Sequence, residues 1–198
     1  MAWYIEGTCL DPANYVKAGF EQKPGYEGLS VWSGGEPVAP ELVPSTARVR
    51  SNRRQLPCFF AISTALAVCD AFRTLVESLE PGRHQFLPVT MLRRSGDPYL
   101  GRFYLLNALQ KVDAIIVEKS DVIWHRIEAP QPDGTVREGR WLEIRGMPQL
   151  TLNADAIAGR HLWLDRHGGG HLFFSNDLME QVNRAKLRKL RWFQTQEE

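Results

Sequence analysis

Helix-breaking residues are concentrated in the first quarter of this chain, and their distribution constrains the fold more than any other feature. Between residues 7 and 57, glycine and proline recur at Gly25, Gly28, Gly34, Gly35, Pro37, Pro40 and Pro44. These residues interrupt regular structure. We therefore predict an irregular arm over residues 1–55, with brief strands only at 2–5 and 29–32. Residues 56–198 are expected to form the compact part of a single domain.

Apolar periodicity predicts two helices in the compact part. Apolar residues recur at three- and four-residue steps from Ala65 to Leu79, which predicts an amphipathic helix capped by Ser63 and ended by Pro81. Phe72 lies at the middle of that apolar stripe, so we expect it to be buried. The second helix is predicted to be capped by Ser175 or Asn176, with Leu178, Val182 and Ala185 at helical spacing.

The remaining apolar segments are short and bounded by turn residues, which predicts strands. They are residues 59–62, 86–89, 91–92, 103–106, 112–117, 122–127, 140–144, 161–164, 171–174 and 190–193. Residues 112–117 are the most apolar and are expected to be central in their sheet. Turn residues at 132–134 and 168–170 predict two hairpins. The predicted fold class is α+β, with a mixed, mostly antiparallel sheet and two main helices.

The order strand, helix, strand occurs twice, once from Phe59 to Phe86 and again from Phe173 to Phe193. The two stretches also share a Phe-Phe pair shortly before a serine. This similarity fits a duplicated strand–helix–strand unit, and it equally fits two independent examples of a common arrangement. Both alternatives stay open at the level of sequence.

Charge is balanced overall but uneven along the chain. Lysine and arginine number 24 and aspartate and glutamate 23, a net charge of +1, which argues against a general nucleic-acid binder. Residues 1–47 hold six acids and only two lysines, whereas basic residues cluster at 48–54 and 184–191. Patches of opposite sign suit either docking within the chain or binding of a protein partner.

Cysteine usage favours a reducing compartment. Three cysteines are present, an odd number without a Cys-x-x-Cys spacing, so we predict that Cys9, Cys58 and Cys69 are all unpaired. The first residues lack the basic start and apolar stretch of a signal peptide, and we find no apolar run long enough to span a membrane. These features predict a cytoplasmic protein.

Motifs that carry chemistry are weak in this sequence. The best metal candidate is the set His161, Asp165, His167 and His171, but three consecutive glycines between two of the histidines oppose the fixed geometry that a metal needs. We expect no metal, no cofactor and no catalytic residues, and hence a binding protein. The alternatives are an enzyme whose site residues are scattered in sequence, such as Cys9 or Cys58 with a remote histidine, and a regulatory protein-binding module.

Three collinear stretches resemble a known family. They are His84–Val89, then Phe103–Leu109 continuing through Val112–Ile115 to Glu118–Ser120, and finally Ile157–Leu164 continuing to Phe173–Leu178. Over residues 55–198 the chain resembles immunity-protein family eleven of bacterial polymorphic toxin systems, formerly a domain of unknown function. The resemblance implies a protein that protects a cell by binding and neutralising a cognate secreted toxin, and it implies no catalytic residues.

The irregular arm offers candidate partner-binding residues: Tyr26, Glu27, Trp32 and Glu36. Its acids would accelerate encounter with a basic partner, and tyrosine and tryptophan are enriched at binding hot spots. The alternative is that Tyr26 and Trp32 pack the arm against the domain. The expected partner is the cognate toxin, without nucleic acid or membrane, and the protein itself is expected to be a monomer or a weak homodimer.

Overall fold

The computed structural model describes residues 1–10, 16–21, 35–62, 65–130, 136–144, 148–167, 171–187 and 190–198. Its helices are α1 (Asp70–Leu79), α2 (Ala154–Ile157) and α3 (Asn176–Arg184). Its strands are β1 (Ala2–Leu10), β2 (Ala18–Phe20), β3 (Thr46–Val49), β4 (Phe59–Ile62), β5 (Ala65–Cys69), β6 (Gln85–Leu92), β7 (Phe103–Asn107), β8 (Lys111–Val112), β9 (Val122–Pro130), β10 (Val136–Ile144), β11 (Thr151–Leu152), β12 (Leu162–Asp165), β13 (Leu172–Ser175), β14 (Leu190–Gln194) and β15 (Gln196–Glu197).

Two larger sheets dominate the fold. One has six strands in the order β2-β3-β6-β7-β5-β4, and the other has five in the order β14-β1-β13-β12-β8. Two-stranded sheets are formed by β9 with β10 and by β11 with β15. Most pairings are antiparallel, and the parallel ones are β3 with β6, β8 with β12 and β11 with β15. The α+β class and the two main helices, α1 and α3, are thereby confirmed.

The two strand–helix–strand units share one topology. In the first, α1 connects β5 to β6 with β7 between them; in the second, α3 connects β13 to β14 with β1 between them. In each unit the two flanking strands run parallel, because both are antiparallel to the strand between. The strand that directly precedes α1 is β5, whereas the sequence similarity involves Phe59–Ile62, which is β4. The Phe-Phe pair of β4 and that of β13 therefore do not occupy equivalent positions in the two units.

The helices meet in a core between the two units. Phe72 of α1 is fully buried, with its ring 4.7 Å from that of Phe59 and 5.5 Å from that of Phe174. Leu178 and Val182 of α3 are buried in the same cluster. The predicted burial of Phe72 is therefore confirmed, and so is the cap of α3, where Ser175 Oγ accepts the amide hydrogen of Leu178.

The predicted start of the first helix is wrong. Residues 65–69 form β5, which pairs with β4 on one side and β7 on the other, and the helix begins only at Asp70. A short apolar run fits helical and extended periodicity equally well. Pairing with β7 resolves the ambiguity, because it satisfies the backbone of β5 and buries Ala67 and Val68. The proposed cap Ser63 lies outside the described residues.

The prediction that all three cysteines are unpaired is also wrong: Cys58 and Cys69 form a disulfide, with their Cα atoms 4.6 Å apart. The register of the β4–β5 hairpin explains it, since Phe59 pairs with Val68 and the next residue outward on each strand is a cysteine. The apolar periodicity places Cys69 in a helix, and that placement gives no reason to expect Cys69 next to Cys58. The side chain of Cys9 lies outside the described residues.

Residues 112–117 are not a central strand. β8 contains only Lys111 and Val112 and lies at the edge of the five-stranded sheet, and a 3-10 helix occupies Val117–Lys119. The buried carboxylate of Asp165 accounts for the early end of β8. It accepts the amide hydrogens of Ala114 and Ile115, at 3.3 and 3.4 Å, which replace the hydrogen bonds of a strand ladder.

The first 55 residues are more regular than predicted. β1 extends to Leu10 and lies inside the five-stranded sheet, and β2 and β3 belong to the six-stranded sheet. The predicted strand at 29–32 lies outside the described residues. β3 pairs with β6 across position 55, which favours one domain, although the division into an arm and a compact part stays a prediction.

The predicted hairpins are confirmed where they are described. β9 pairs with β10 over nine residues, and β12 pairs with β13. Among the described residues, we find no helix long and apolar enough to cross a membrane.

Candidate partner-binding surface

Only one of the four predicted partner-binding residues is described. Tyr26, Glu27 and Trp32 lie within residues 22–34, outside the described part of the chain. Glu36 is exposed, and its backbone oxygen accepts a hydrogen bond from Asn107 Nδ2 at 2.8 Å. The prediction that these four residues bind a partner is therefore neither supported nor contradicted by their placement.

Two amide side chains, those of the partly buried Gln85 and the buried Asn107, fix the chain where it leaves residues 22–34. Gln85 Oε1 accepts the amide hydrogen of Val38, and Gln85 Nε2 donates to the carbonyl oxygen of Val38, at 2.8 and 2.9 Å. Asn107 Nδ2 also donates to Gln85 Oε1. We call residues 21–38, which include Glu21, Glu27 and Glu36, the acidic segment. Its end is thus attached to the start of β6 and the end of β7.

Gly35 brings this segment against β8. Its φ angle is +61°, a conformation that favours glycine, and a Cβ atom there would lie 2.7 Å from Lys111 Cε. Only a residue without a side chain permits this approach. Glu36 consequently lies beside the exposed Lys111 at the edge of the five-stranded sheet.

Two residues after Lys111, a series of contacts that begins at Asp113 leads to the long hairpin. Asp113 is exposed, and its Oδ2 lies 3.5 Å from His167 Nε2. The ring of His167 in turn lies 5.3 Å from that of Trp124 on β9, in edge-to-face geometry. We call the set Glu36, Lys111, Asp113, Trp124 and His167 the β8 surface.

The β9–β10 hairpin presents the side chain of Trp124 at this surface, whereas the neighbouring Ile123 points to the opposite face of the hairpin. Ile123 is 48% exposed and Trp124 40% exposed. The base of the hairpin is anchored, because Leu142 and Ile144 are buried and the Leu142 amide donates to the carbonyl oxygen of His167 at 2.7 Å. Large apolar side chains held rigidly in solvent are typical of interface anchors.

Sequence reasoning missed this surface because its members are far apart in sequence. No local signal marks Trp124 as exposed, because Trp124 and the buried Leu142 opposite it both lie between an apolar and a polar residue.

The most elaborate polar network in the described structure is buried and structural. Glu80 accepts hydrogen bonds from His84 Nε2, Gln110 Nε2 and the amides of His161 and Leu162, at 2.7–3.0 Å. Burial alone would raise the pKa of Glu80, but the hydrogen bonds from His84, His161 and Gln110 outweigh it and lower that pKa. With its hydrogen-bonding groups engaged, this carboxylate fastens α1 to β12.

The histidine of that network is held in one tautomer. His84 Nδ1 accepts the amide hydrogen of Leu109 at 3.3 Å, so Nε2 carries the proton that is donated to Glu80. The side chain of His84 is fully buried. The pair is placed to orient backbone segments.

The metal candidates of the sequence are separated in the fold. His161 Nδ1 lies 2.8 Å from Ser175 Oγ, and His171 Nδ1 lies 3.1 Å from the Tyr4 hydroxyl. Asp165 is turned inward to backbone amides, and His167 contacts the β8 surface. Among the residues that are described, we find no group of three or more His, Cys, Asp or Glu placed to hold a metal ion.

The pair His161–Ser175 lines a shallow cleft of about 410 Å³ together with Trp163 and the first residues of α3. A serine beside a histidine is the minimal arrangement for nucleophilic catalysis. Here, however, Ser175 Oγ already accepts the Leu178 amide hydrogen as the cap of α3. The contact has a complete structural explanation in helix capping.

A comparison with known families gives the class of protein. The sequence model of an immunity protein family, Imm11, matches residues 11–197. The match covers nearly the whole chain, and the chain belongs to the immunity protein family Imm11. No curated protein matches the sequence.

Proposed function

We propose that this protein protects the cell that makes it by binding a cognate toxin directly and blocking its action. Membership of the Imm11 immunity family carries this proposal. The partner is the secreted toxin domain of a polymorphic toxin system. We place the encounter in the cytoplasm, although the Cys58–Cys69 disulfide removes the argument from unpaired cysteines for a reducing compartment. Neutralisation needs no catalysis by the immunity protein.

The proposed contact region combines the acidic segment with the β8 surface. Glu36 lies at its described edge beside Lys111, and Tyr26, Glu27 and Trp32 precede it closely in sequence. Trp124 supplies exposed apolar area between these charged groups and the hairpin. An apolar centre flanked by charged groups that steer the partner is the usual composition of a specific protein interface.

Co-expression with the toxin encoded by the neighbouring gene tests the function. Wild-type protein should restore growth and co-purify with the toxin. Failure to do either would remove the immunity function for that pair.

Charge reversal tests the surface. Glu27→Lys with Glu36→Lys should slow association and flatten its dependence on salt while leaving folding intact, because carboxylates that steer encounter act over a Debye length. Asp155→Lys with Glu180→Lys is the matched control at exposed sites on α2 and α3. If both double variants associate at the wild-type rate, the interface lies elsewhere.

A further inference from the structure

Six arginines converge at the end of β6 that lies away from Glu36. Arg93, which follows β6, donates to the backbone oxygens of Arg53 and Arg54 at 3.4 and 3.3 Å. Arg48 of β3 donates to the backbone oxygen of Arg93 at 3.4 Å. These contacts bring residues 48–54 and 93–94 together. We call Arg48, Arg50, Arg53, Arg54, Arg93 and Arg94 the arginine surface.

Two of these arginines are held in place by other groups. Arg48 forms an ion pair with Glu21, a contact of the acidic first quarter with the basic cluster that follows it. Arg93 lies over the ring of Tyr99, 4.3 Å from its centroid, and the Tyr99 hydroxyl donates to the Arg53 carbonyl oxygen. The backbone under the surface is therefore rigid.

Three of the arginines carry uncompensated charge. Arg50, Arg54 and Arg94 are exposed, and none of them forms an ion pair with a residue that the structure describes. The nearby carboxylate of Asp97 accepts instead from the Ser95 hydroxyl. Uncompensated like charges raise the local potential and oppose folding.

Two of the guanidinium groups lie near glycine residues, at distances where a Cβ atom would make ordinary van der Waals contact. A Cβ atom at Gly19 would lie 3.7 Å from Arg50 Nη2, and one at Gly96 would lie 3.6 Å from Arg48 Nη1. The guanidinium groups of Arg50 and Arg48 thus lie close to the backbone at Gly19 and Gly96, respectively. A fold that brings six like charges together at this end, although the chain has a net charge of only +1, points to a use for them.

An exposed leucine indicates what kind of partner fits. Leu100 follows Tyr99 in the same turn and is 92% exposed, the most exposed large apolar side chain among the described residues. Single-stranded nucleic acid is disfavoured, because its bases stack on exposed rings and Tyr99 is buried under Arg93. Arginine guanidinium groups form bidentate hydrogen bonds with carboxylates. A surface with arginines around an exposed leucine is therefore complementary to a protein surface with carboxylates around an apolar depression.

We propose that the arginine surface, with Leu100, is a second docking site that binds an acidic protein surface. It is separate from the β8 surface, because the eight residues of β6 place the two about 26 Å apart. The site serves an additional acidic partner and does not depend on toxin binding. The protein therefore has two binding ends of different charge preference.

Fluorescence anisotropy with a labelled peptide of Glu-Glu-Leu repeats tests the proposal on the full chain. Wild-type protein should bind the peptide at low salt, and Arg50→Gln with Arg54→Gln and Arg94→Gln should weaken binding by about tenfold or more. The control Arg83→Gln with Arg160→Gln and Arg184→Gln removes the same charge elsewhere and should change Kd by less than about twofold. Leu100→Ala should weaken binding on its own.

Stability separates a docking role from a structural one. The triple variant of the arginine surface should keep or raise the denaturation midpoint, because it relieves like-charge repulsion. A fall in that midpoint, no binding of the peptide by wild type, or equal weakening by the control would overturn the proposal. So would tighter binding of single-stranded DNA, or of vesicles containing phosphatidylserine, through the same arginines.

Discussion

At the scale of the residue, burial decides which side chains the fold depends on. Phe72 has no exposed surface and contacts the rings of Phe59 on β4 and Phe174 on β13. Truncating it to alanine should lower the free energy of unfolding by about 3–5 kcal/mol through lost transfer energy and a residual cavity. Leu100→Ala, at a fully exposed site, should change it by less than about 0.5 kcal/mol. Equilibrium denaturation that gives equal midpoints for the two variants would contradict the assigned core.

The Glu80 network gives a prediction for pH. Because the folded-state pKa of Glu80 lies below its ordinary value of 4.5, the carboxylate stabilises the fold above that value. This stabilisation should be lost progressively as the pH falls below 4.5 towards the folded-state pKa. Glu80→Gln should remove that part of the pH dependence and destabilise the protein by about 3 kcal/mol at neutral pH, since donors lose a charged acceptor in a buried site. Denaturation curves between pH 3 and 7, with Glu118→Gln as an exposed control, provide the check; unchanged curves for Glu80→Gln would refute the role of the network.

At the scale of the element, the β4–β5 hairpin separates what the sequence predicts from what it does not. The α3 helix, the β9–β10 hairpin and the β12–β13 hairpin follow from caps, turns and alternation that lie within a few residues of each other. The segment 65–69 carries no such local signal, since its strand identity depends on pairing with β7 some forty residues later. One misassigned element then hid the Cys58–Cys69 disulfide as well.

The same limit applies to the candidate surface. Glu36 was predicted from local charge and turn residues. Asp113, Trp124 and His167 meet only through the edge of the five-stranded sheet and the base of the hairpin. No pattern within one segment could have joined them.

The disulfide is itself testable. Non-reduced protein should be about two mass units lighter than reduced protein, with the link between Cys58 and Cys69. Cys58→Ser with Cys69→Ser should lower the free energy of unfolding by about 2.5–3 kcal/mol, the entropy of closing a loop of this length. Reduced wild-type protein is the control and should unfold with about the stability of the double variant. Free thiols at both positions in protein purified without reductant would contradict the disulfide and support the prediction that these cysteines are unpaired.

The long hairpin gives a prediction that separates binding from folding. Trp124→Ala should weaken toxin binding by about 2 kcal/mol, or some thirtyfold in Kd, while stability stays within about 0.5 kcal/mol. Trp192 offers the contrast, because its ring contacts Phe59 and Phe174. Trp192→Ala should lower the free energy of unfolding, because it removes these core contacts. Wild-type affinity for the Trp124 variant would exclude the hairpin from the interface.

At the scale of the whole molecule, two helix-bearing units share a core and expose two differently charged ends. One end carries the β8 surface and the close of the acidic segment, and the other carries the arginine surface. Membership of the Imm11 family gives the molecule its class, and the placement of these surfaces gives the proposal its residues. The monomeric or weakly dimeric state expected from the sequence stays a prediction.

Titration of the purified toxin domain's activity with increasing amounts of this protein tests the central claim most directly. Neutralisation by binding predicts a linear loss of activity that reaches completion at one equivalent and recovers when the complex is dissociated. An enzyme acting on the toxin would instead abolish activity at far less than one equivalent, given time, and the loss would persist after separation. Substoichiometric, irreversible inactivation would therefore contradict direct binding as the mechanism of immunity.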